Sequence, residues 1–222
     1  VWGPNARQLV APLCPDDLSN ESFEYFRALQ THLGSIPVTM MRVSYVGELG
    51  WEIYTTAEHG AALWDLLWEA GRDHDAIAAG QIAFNSLRLE KGYRAWGTDM
   101  TAEHTPVAAG VDFAVRMAKD DFVGKAALTD AEPPKAVLRS IVFDDPTAVV
   151  LGKEPVSVNG TTVGYVTSAG YSATIGRSIA YAWLPAQLGP GAEVQVDYLT
   201  TTFAARVHAE PVVDPEMSRI RR

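Results

Sequence analysis

The chain has 222 residues, 47% hydrophobic and 20% charged, and its 27 acidic against 18 basic side chains leave a formal net charge of −9. That composition can supply a core and argues against disorder, while the acidic balance sets the wrong field for a nucleic-acid backbone and no apolar run approaches the roughly 20 residues of a membrane-spanning helix. Lone Cys14 excludes an intramolecular disulfide framework and a multi-cysteine zinc site, so the expectation is a cytoplasmic protein of one or two domains with neither nucleic acid nor membrane as partner.

Residue 1 is Val, and no charged-then-apolar export signal follows it. Pro4 suits the first turn of a helix. A start inside a structural unit and a trimmed terminus fit this opening equally well. Phe23, Phe26 and Leu29 recur with helical spacing behind Ser19 or Asn20 as cap, which predicts a helix over 19–31. Residues 37–45 and 51–55 are rich in β-formers and flank Gly47-Glu48-Leu49-Gly50, a pattern for a hairpin with a four-residue connection. Residues 58–70 form an amphipathic pattern with Leu63, Leu67 and Ala70 on one face and Trp64 and Trp68 beside it. Further helices are expected over 81–91, stopped by Gly92, and over 121–128.

After Pro133-Pro134 the texture changes. Short β-type runs at 137–143, 155–158, 162–168, 177–184, 193–197 and 203–208 alternate with turn residues, and Asn159-Gly160 is a strong hairpin signal. The fold class is therefore α+β: an α+β part over 1–132, then a small antiparallel β-barrel or sandwich over 133–222.

The five histidines, His32, His59, His74, His104 and His208, are scattered without metal-ligand spacing, so no metal site is expected. Dinucleotide, phosphate-loop and nucleophile-elbow motifs are all missing. Two stretches remain. In the first, 42–52, Tyr45 and Glu52 stand on opposite arms of the expected hairpin. A carboxylate there could accept the N–H donors of a flat heterocycle, and an aromatic side chain could pack on its ring. The plainer alternative makes Glu48 a solvated turn residue, Glu52 the polar side of a strand and Trp51 core. In the second stretch, 85–100, the plainer reading is a helix with Leu87 inward and Arg88 and Glu90 solvated; the sharper one has Arg88, Arg94 or Asp99 lining a site for an anionic group.

Ser44-Tyr45-Val46-Gly47-Glu48-Leu49-Gly50-Trp51-Glu52 resembles the signature of the folate-binding aminomethyltransferase family, the T-protein of glycine cleavage. The same family is matched by Ser86-Leu87-Arg88-Leu89-Glu90-Lys91-Gly92, Trp96-Gly97-Thr98-Asp99, Thr105-Pro106, Asp121-Phe122-Val123-Gly124-Lys125, the run from Gly164 to Ser172, and Asp214-Pro215, in order through nearly the whole chain. The phrase from Phe84 to Gly97 is most similar to the C-terminal part of dimethylglycine and sarcosine dehydrogenases or oxidases.

The resemblance implies a partial folate-binding aminomethyltransferase domain, its N-terminal part missing, followed by the family's C-terminal barrel. It implies tetrahydrofolate as cofactor, with Tyr45 and Glu52 as binding residues, and transfer of a one-carbon unit from an amine-derived iminium or formaldehyde to give 5,10-methylenetetrahydrofolate. In the dehydrogenase branch FAD sits in an upstream domain of the same polypeptide. The aspartate that drives transfer in the family also lies upstream, since Gly3-Pro4 matches a block well inside the folate domain; the catalytic residue of this chain is thus unknown, and Glu90 and Asp99 fall on family positions of structural type. A family arginine that contributes to folate binding is replaced by Phe84, which leaves open a folate-binding, non-catalytic relative; a folate-dependent demethylase of the same fold is the other alternative.

Overall fold

A computed structural model describes all residues, 1–222. The chain divides into two compact units, Val1–Leu87 with Asp214–Arg222, and Arg88–Val213.

The first unit opens with a short helix α1 (Ala6–Val10) and continues into a three-stranded antiparallel sheet, β1 (Ala28–Leu33), β2 (Ile36–Met41) and β3 (Glu52–Tyr54), in that order. The β2 strand alternates buried and more exposed positions, so Ile36, Val38 and Met40 face the core with Leu33 and Trp51. Helix α2 (Gly60–Gly71) buries Leu63 against the same cluster and leaves Trp64 and Trp68 stacked on its outer side, ring centroids 6.0 Å apart. Helix α3 (Gln81–Glu90) stops before Gly92, whose φ of +78° suits a glycine stop.

No helix forms over 19–31. The Asp17 carboxylate accepts from the Ser19 amide and hydroxyl and from the Ser22 hydroxyl, 2.6–2.9 Å, which winds the chain into turns. Phe26 then takes a left-handed φ of +66°, and residues 28–33 pair with β2 instead. Local side-chain bonding and strand pairing outweigh the helical spacing of the aromatic residues. The Ser22 and Ser19 bonds hold the Asp17 carboxyl below the usual carboxylate range. Because the folded value is depressed, this support is present above the unfolded pKa and is lost as pH falls through the folded one. The Ser19 and Ser22 amide resonances are expected to shift in that acidic window, and an Asp17→Asn variant to show no such transition.

The second unit holds helices α4 (Pro106–Ala109) and α5 (Lys125–Thr129) and a closed barrel of six antiparallel strands. They are β4 (Ala136–Phe143), β5 (Pro155–Val158), β6 (Thr161–Ser172), β7 (Arg177–Pro185), β8 (Glu193–Tyr198) and β9 (Thr201–His208), ordered β4-β7-β6-β5-β8-β9. The β5–β6 hairpin turns on Asn159 and Gly160, with φ of +50° and +76°, the left-handed pair its Asn-Gly sequence favours. Strand β7 is buried on both faces. Ala180, Ala182 and Leu184 point into the barrel, while Ile179, Tyr181 and Trp183 pack with Leu89, Ala108 and Ala109 outside it.

Gly164 on β6 lies so close to β7 that an added Cβ would sit 1.9 Å from the Trp183 carbonyl oxygen. Gly164→Ala is expected to destabilise the barrel by about 1–3 kcal/mol, as forced overpacking does. A lower denaturant midpoint at unchanged slope would be the signature. No helix in the chain is long and apolar enough to cross a membrane.

Candidate functional site

In the first unit, β2 and β3 are joined by a ten-residue connection, 42–51, rather than the expected four-residue turn. Both strands are shorter than the β-rich sequence suggests. Glu52 opens β3, paired with Met41, whereas Tyr45 lies within the connection and not on a strand arm.

Several contacts hold this connection in shape. Residues 1–3 run beside it: the Gly3 amide donates to the Leu49 carbonyl at 2.8 Å, and Trp2 Nε1 donates to the Val43 carbonyl at 3.0 Å. Gly50 has φ +153°, and any Cβ there would strike the Val1 carbonyl oxygen at 2.0 Å, so the close approach requires glycine. The Glu48 amide donates to Ser44 Oγ at 3.1 Å, and the Glu48 carboxylate pairs with Arg219 at 2.9 Å. Glu48 is thus not simply a solvated turn residue; it ties the connection to the C-terminal segment. Arg42 makes a second tie. Its buried guanidinium donates to the carbonyls of Phe23 (3.0 Å) and Ile220 (3.2 Å) and lies 5.8 Å from the Trp51 ring centre. Burial lowers its pKa from the ordinary arginine value, and the charge of Arg7 adds to that. Trp51 itself is fully buried core.

The two expected binding residues, Tyr45 and Glu52, have different neighbours. The half-buried Tyr45 ring packs on Phe84, centroids 5.2 Å apart, and Phe84 also meets Trp2 at 6.1 Å. On β3, Ile53 turns to the core while Glu52 and Tyr54 share the opposite face. The Tyr54 hydroxyl donates to Glu52 Oε2. That bond, and the carboxylate's charge, push the Tyr54 phenol above its ordinary pKa. Residue chemistry alone does not single out Tyr54, although period-two alternation from Glu52 places it on the same face. Nothing in the sequence signals Arg219, 171 positions from its partner. Chemically, an acceptor-only carboxylate with spare lone pairs and an aromatic wall can take up a flat heterocycle bearing N–H donors.

The second stretch takes a different role, in the other unit. Arg88 and Asp99 pair with each other, their side chains 4% and 0% exposed. The Asp99 carboxylate also accepts from the Ala95 amide (2.8 Å), Thr167 (2.6 Å) and Ser168 (2.5 Å), and Trp183 Nε1 donates to the Asp99 carbonyl at 3.0 Å. Glu90 accepts from Ser172 (2.6 Å) and Thr174 (2.7 Å), and Arg94 pairs with Glu210 at 2.5 Å. Arg88 and Glu90 are therefore buried rather than solvated, and Arg88, Arg94 and Asp99 spend their charges on internal partners instead of lining an anion site. Burial also drives the Tyr181 phenol, beside Arg94, above its ordinary pKa. No group of three or more His, Cys, Asp or Glu is placed to hold a metal ion.

Comparison with known proteins bears on both units. The GCVT N-terminal domain family matches residues 1–119, and the glycine cleavage T-protein C-terminal barrel domain matches residues 137–214. Dimethylglycine dehydrogenase of Mus musculus is 37% identical over 227 aligned residues, covering 100% of this chain and 26% of that protein. An aminomethyltransferase of Saccharopolyspora erythraea is 34% identical, covering 95% of this chain and 58% of its own length. The crystal structure of glycine cleavage system aminomethyltransferase T from Bartonella henselae superposes with a TM-score of 0.80 at 25% identity, covering 93% of this chain and 56% of that one. The chain thus spans about a quarter of the dehydrogenase and over half of the transferases. These relatives are enzymes by name, and the two family matches together take in both the α+β part and the closed barrel. The chain belongs to the glycine cleavage T-protein family of folate-dependent aminomethyltransferases.

Proposed function

We propose that the chain is the later part of a tetrahydrofolate-dependent one-carbon transfer module within a longer flavoenzyme of the dimethylglycine and sarcosine dehydrogenase type. The observation that carries this reading is the alignment of the entire chain with dimethylglycine dehydrogenase. On this reading, residues 1–132 belong to the folate-binding domain and 133–222 to the barrel. The chemistry of the connection and of the strand that follows it supports a pterin: Glu52 on β3 accepts the ring's N–H groups, and Tyr45 in the connection, braced by Phe84, packs against the heterocycle. Bound tetrahydrofolate would supply the nucleophilic nitrogen that takes up a one-carbon unit, leaving as 5,10-methylenetetrahydrofolate, with FAD in an upstream domain taking the electrons of amine oxidation. No residue of this chain is assigned as the base.

Phe84, in the place of a family arginine, favours a second reading, a relative that holds folate without transferring to it. The intact polypeptide, given dimethylglycine and tetrahydrofolate, is expected to form 5,10-methylenetetrahydrofolate. Folate binding without product would support the second reading. Product only with another methylated amine would make it a folate-dependent demethylase of different substrate.

A further inference from the structure

The Glu52 carboxylate faces away from the core, and a carboxylate on a strand edge has several rotamers to lose when it binds. Tyr54 stands two residues on, on the same face of β3, and its hydroxyl donates to one carboxylate oxygen, Oε2. An ionised carboxylate offers about four lone-pair sites. The tyrosine takes one, which leaves Oε1 and the second lone pair of Oε2 for a two-pronged donor.

We propose that Tyr54 is a positioning residue that holds the Glu52 carboxylate in the orientation from which it accepts the N–H groups of a flat, reduced pterin. This rests on the folate reading of the site and adds to it the residue that orients the acceptor. Tyr54 is 51% exposed, so its ring contributes little to the core, and replacing its hydroxyl leaves the fold's apolar packing intact. The raised Tyr54 pKa fits the same contact, since the neighbouring carboxylate opposes ionisation of the phenol.

The test is a double-mutant cycle on the intact polypeptide, titrated calorimetrically with tetrahydrofolate. Tyr54→Phe is expected to weaken binding by about threefold to tenfold, the worth of one hydrogen bond, with an unchanged unfolding midpoint. In the Glu52→Ala background the same change is expected to have no further effect. A loss of equal size in both backgrounds, or no loss in the wild-type background, overturns the proposal. If instead Glu52→Ala binds like wild type, the folate reading of the site fails and the proposal falls with it. Carbon-labelled tyrosine NMR reads the contact without ligand: the Tyr54 phenol should titrate at lower pH in Glu52→Ala, and an identical titration would contradict the contact itself.

Discussion

Asp99→Ala is expected to destabilise the unit Arg88–Val213 by about 3–5 kcal/mol, the cost of leaving a buried charge without its partner. The Asp99 carboxylate gathers the Arg88 guanidinium, the Ala95 amide and the hydroxyls of Thr167 and Ser168 at a point with no solvent exposure. Removing it takes the charged acceptor from all four donors, and only Arg88 and Thr167 keep another acceptor. Arg88 suffers most, because its Nε already has no hydrogen-bond partner and its other bonds run to the Tyr93 carbonyl (3.1 Å) and to Ser168 (2.7 Å). Replacing both charges, as Arg88→Met with Asp99→Leu, is expected to cost less than the single change, since paired apolar residues leave no uncompensated charge. Urea unfolding of wild type and the two variants distinguishes the cases. A double variant as unstable as Asp99→Ala would show that packing, and not the stranded arginine, sets the cost.

Glu52→Ala is expected to weaken tetrahydrofolate binding by about 1–3 kcal/mol, because the pterin's donors would be desolvated without an acceptor. The fold should hardly respond. Glu52 is half-buried, its side chain accepts from the exposed Tyr54 hydroxyl, and the core-facing residue of β3 is Ile53. An affinity loss with preserved stability is thus the expected pattern for Glu52, and a stability loss in the other unit is the pattern for Asp99. The two variants separate a ligand contact from a structural ion pair although both residues are acidic and both stand in motif-like stretches.

Much of this architecture is legible in the amino-acid sequence. The barrel strands are readable because their signals are local: alternating β-formers, turn residues between them, and Asn159-Gly160 at a hairpin. Helix α3 and its Gly92 stop are local too. The helix expected over 19–31 does not form because β1 is made by pairing with β2, and because Asp17 bonds its own neighbours; neither effect shows in helical periodicity. The α3 end and the 92–99 segment look like surface because Arg88, Glu90 and Asp99 are charged. Their partners, Ser168, Ser172 and Thr174, lie 69–84 positions away, on and just after β6, where no spacing rule reaches. Those bonds explain why residues from Arg88 onward cluster with the barrel strands as one compact unit. For the candidate site, Tyr45 and Glu52 emerge from residue chemistry and resemblance. Their surroundings do not: Phe84 reaches Tyr45 from α3, and Arg219 reaches Glu48 from the C-terminal segment, contacts made only on folding.

On the proposed function, the connection between β2 and β3, with Glu52 at the start of β3, holds tetrahydrofolate. Calorimetric titration of tetrahydrofolate into the intact polypeptide, wild type beside Glu52→Ala, tests it most directly. Saturable one-to-one binding that weakens by about 1–3 kcal/mol in the variant is the predicted result. Equal affinity in the two proteins, or no binding to the wild type, would contradict it.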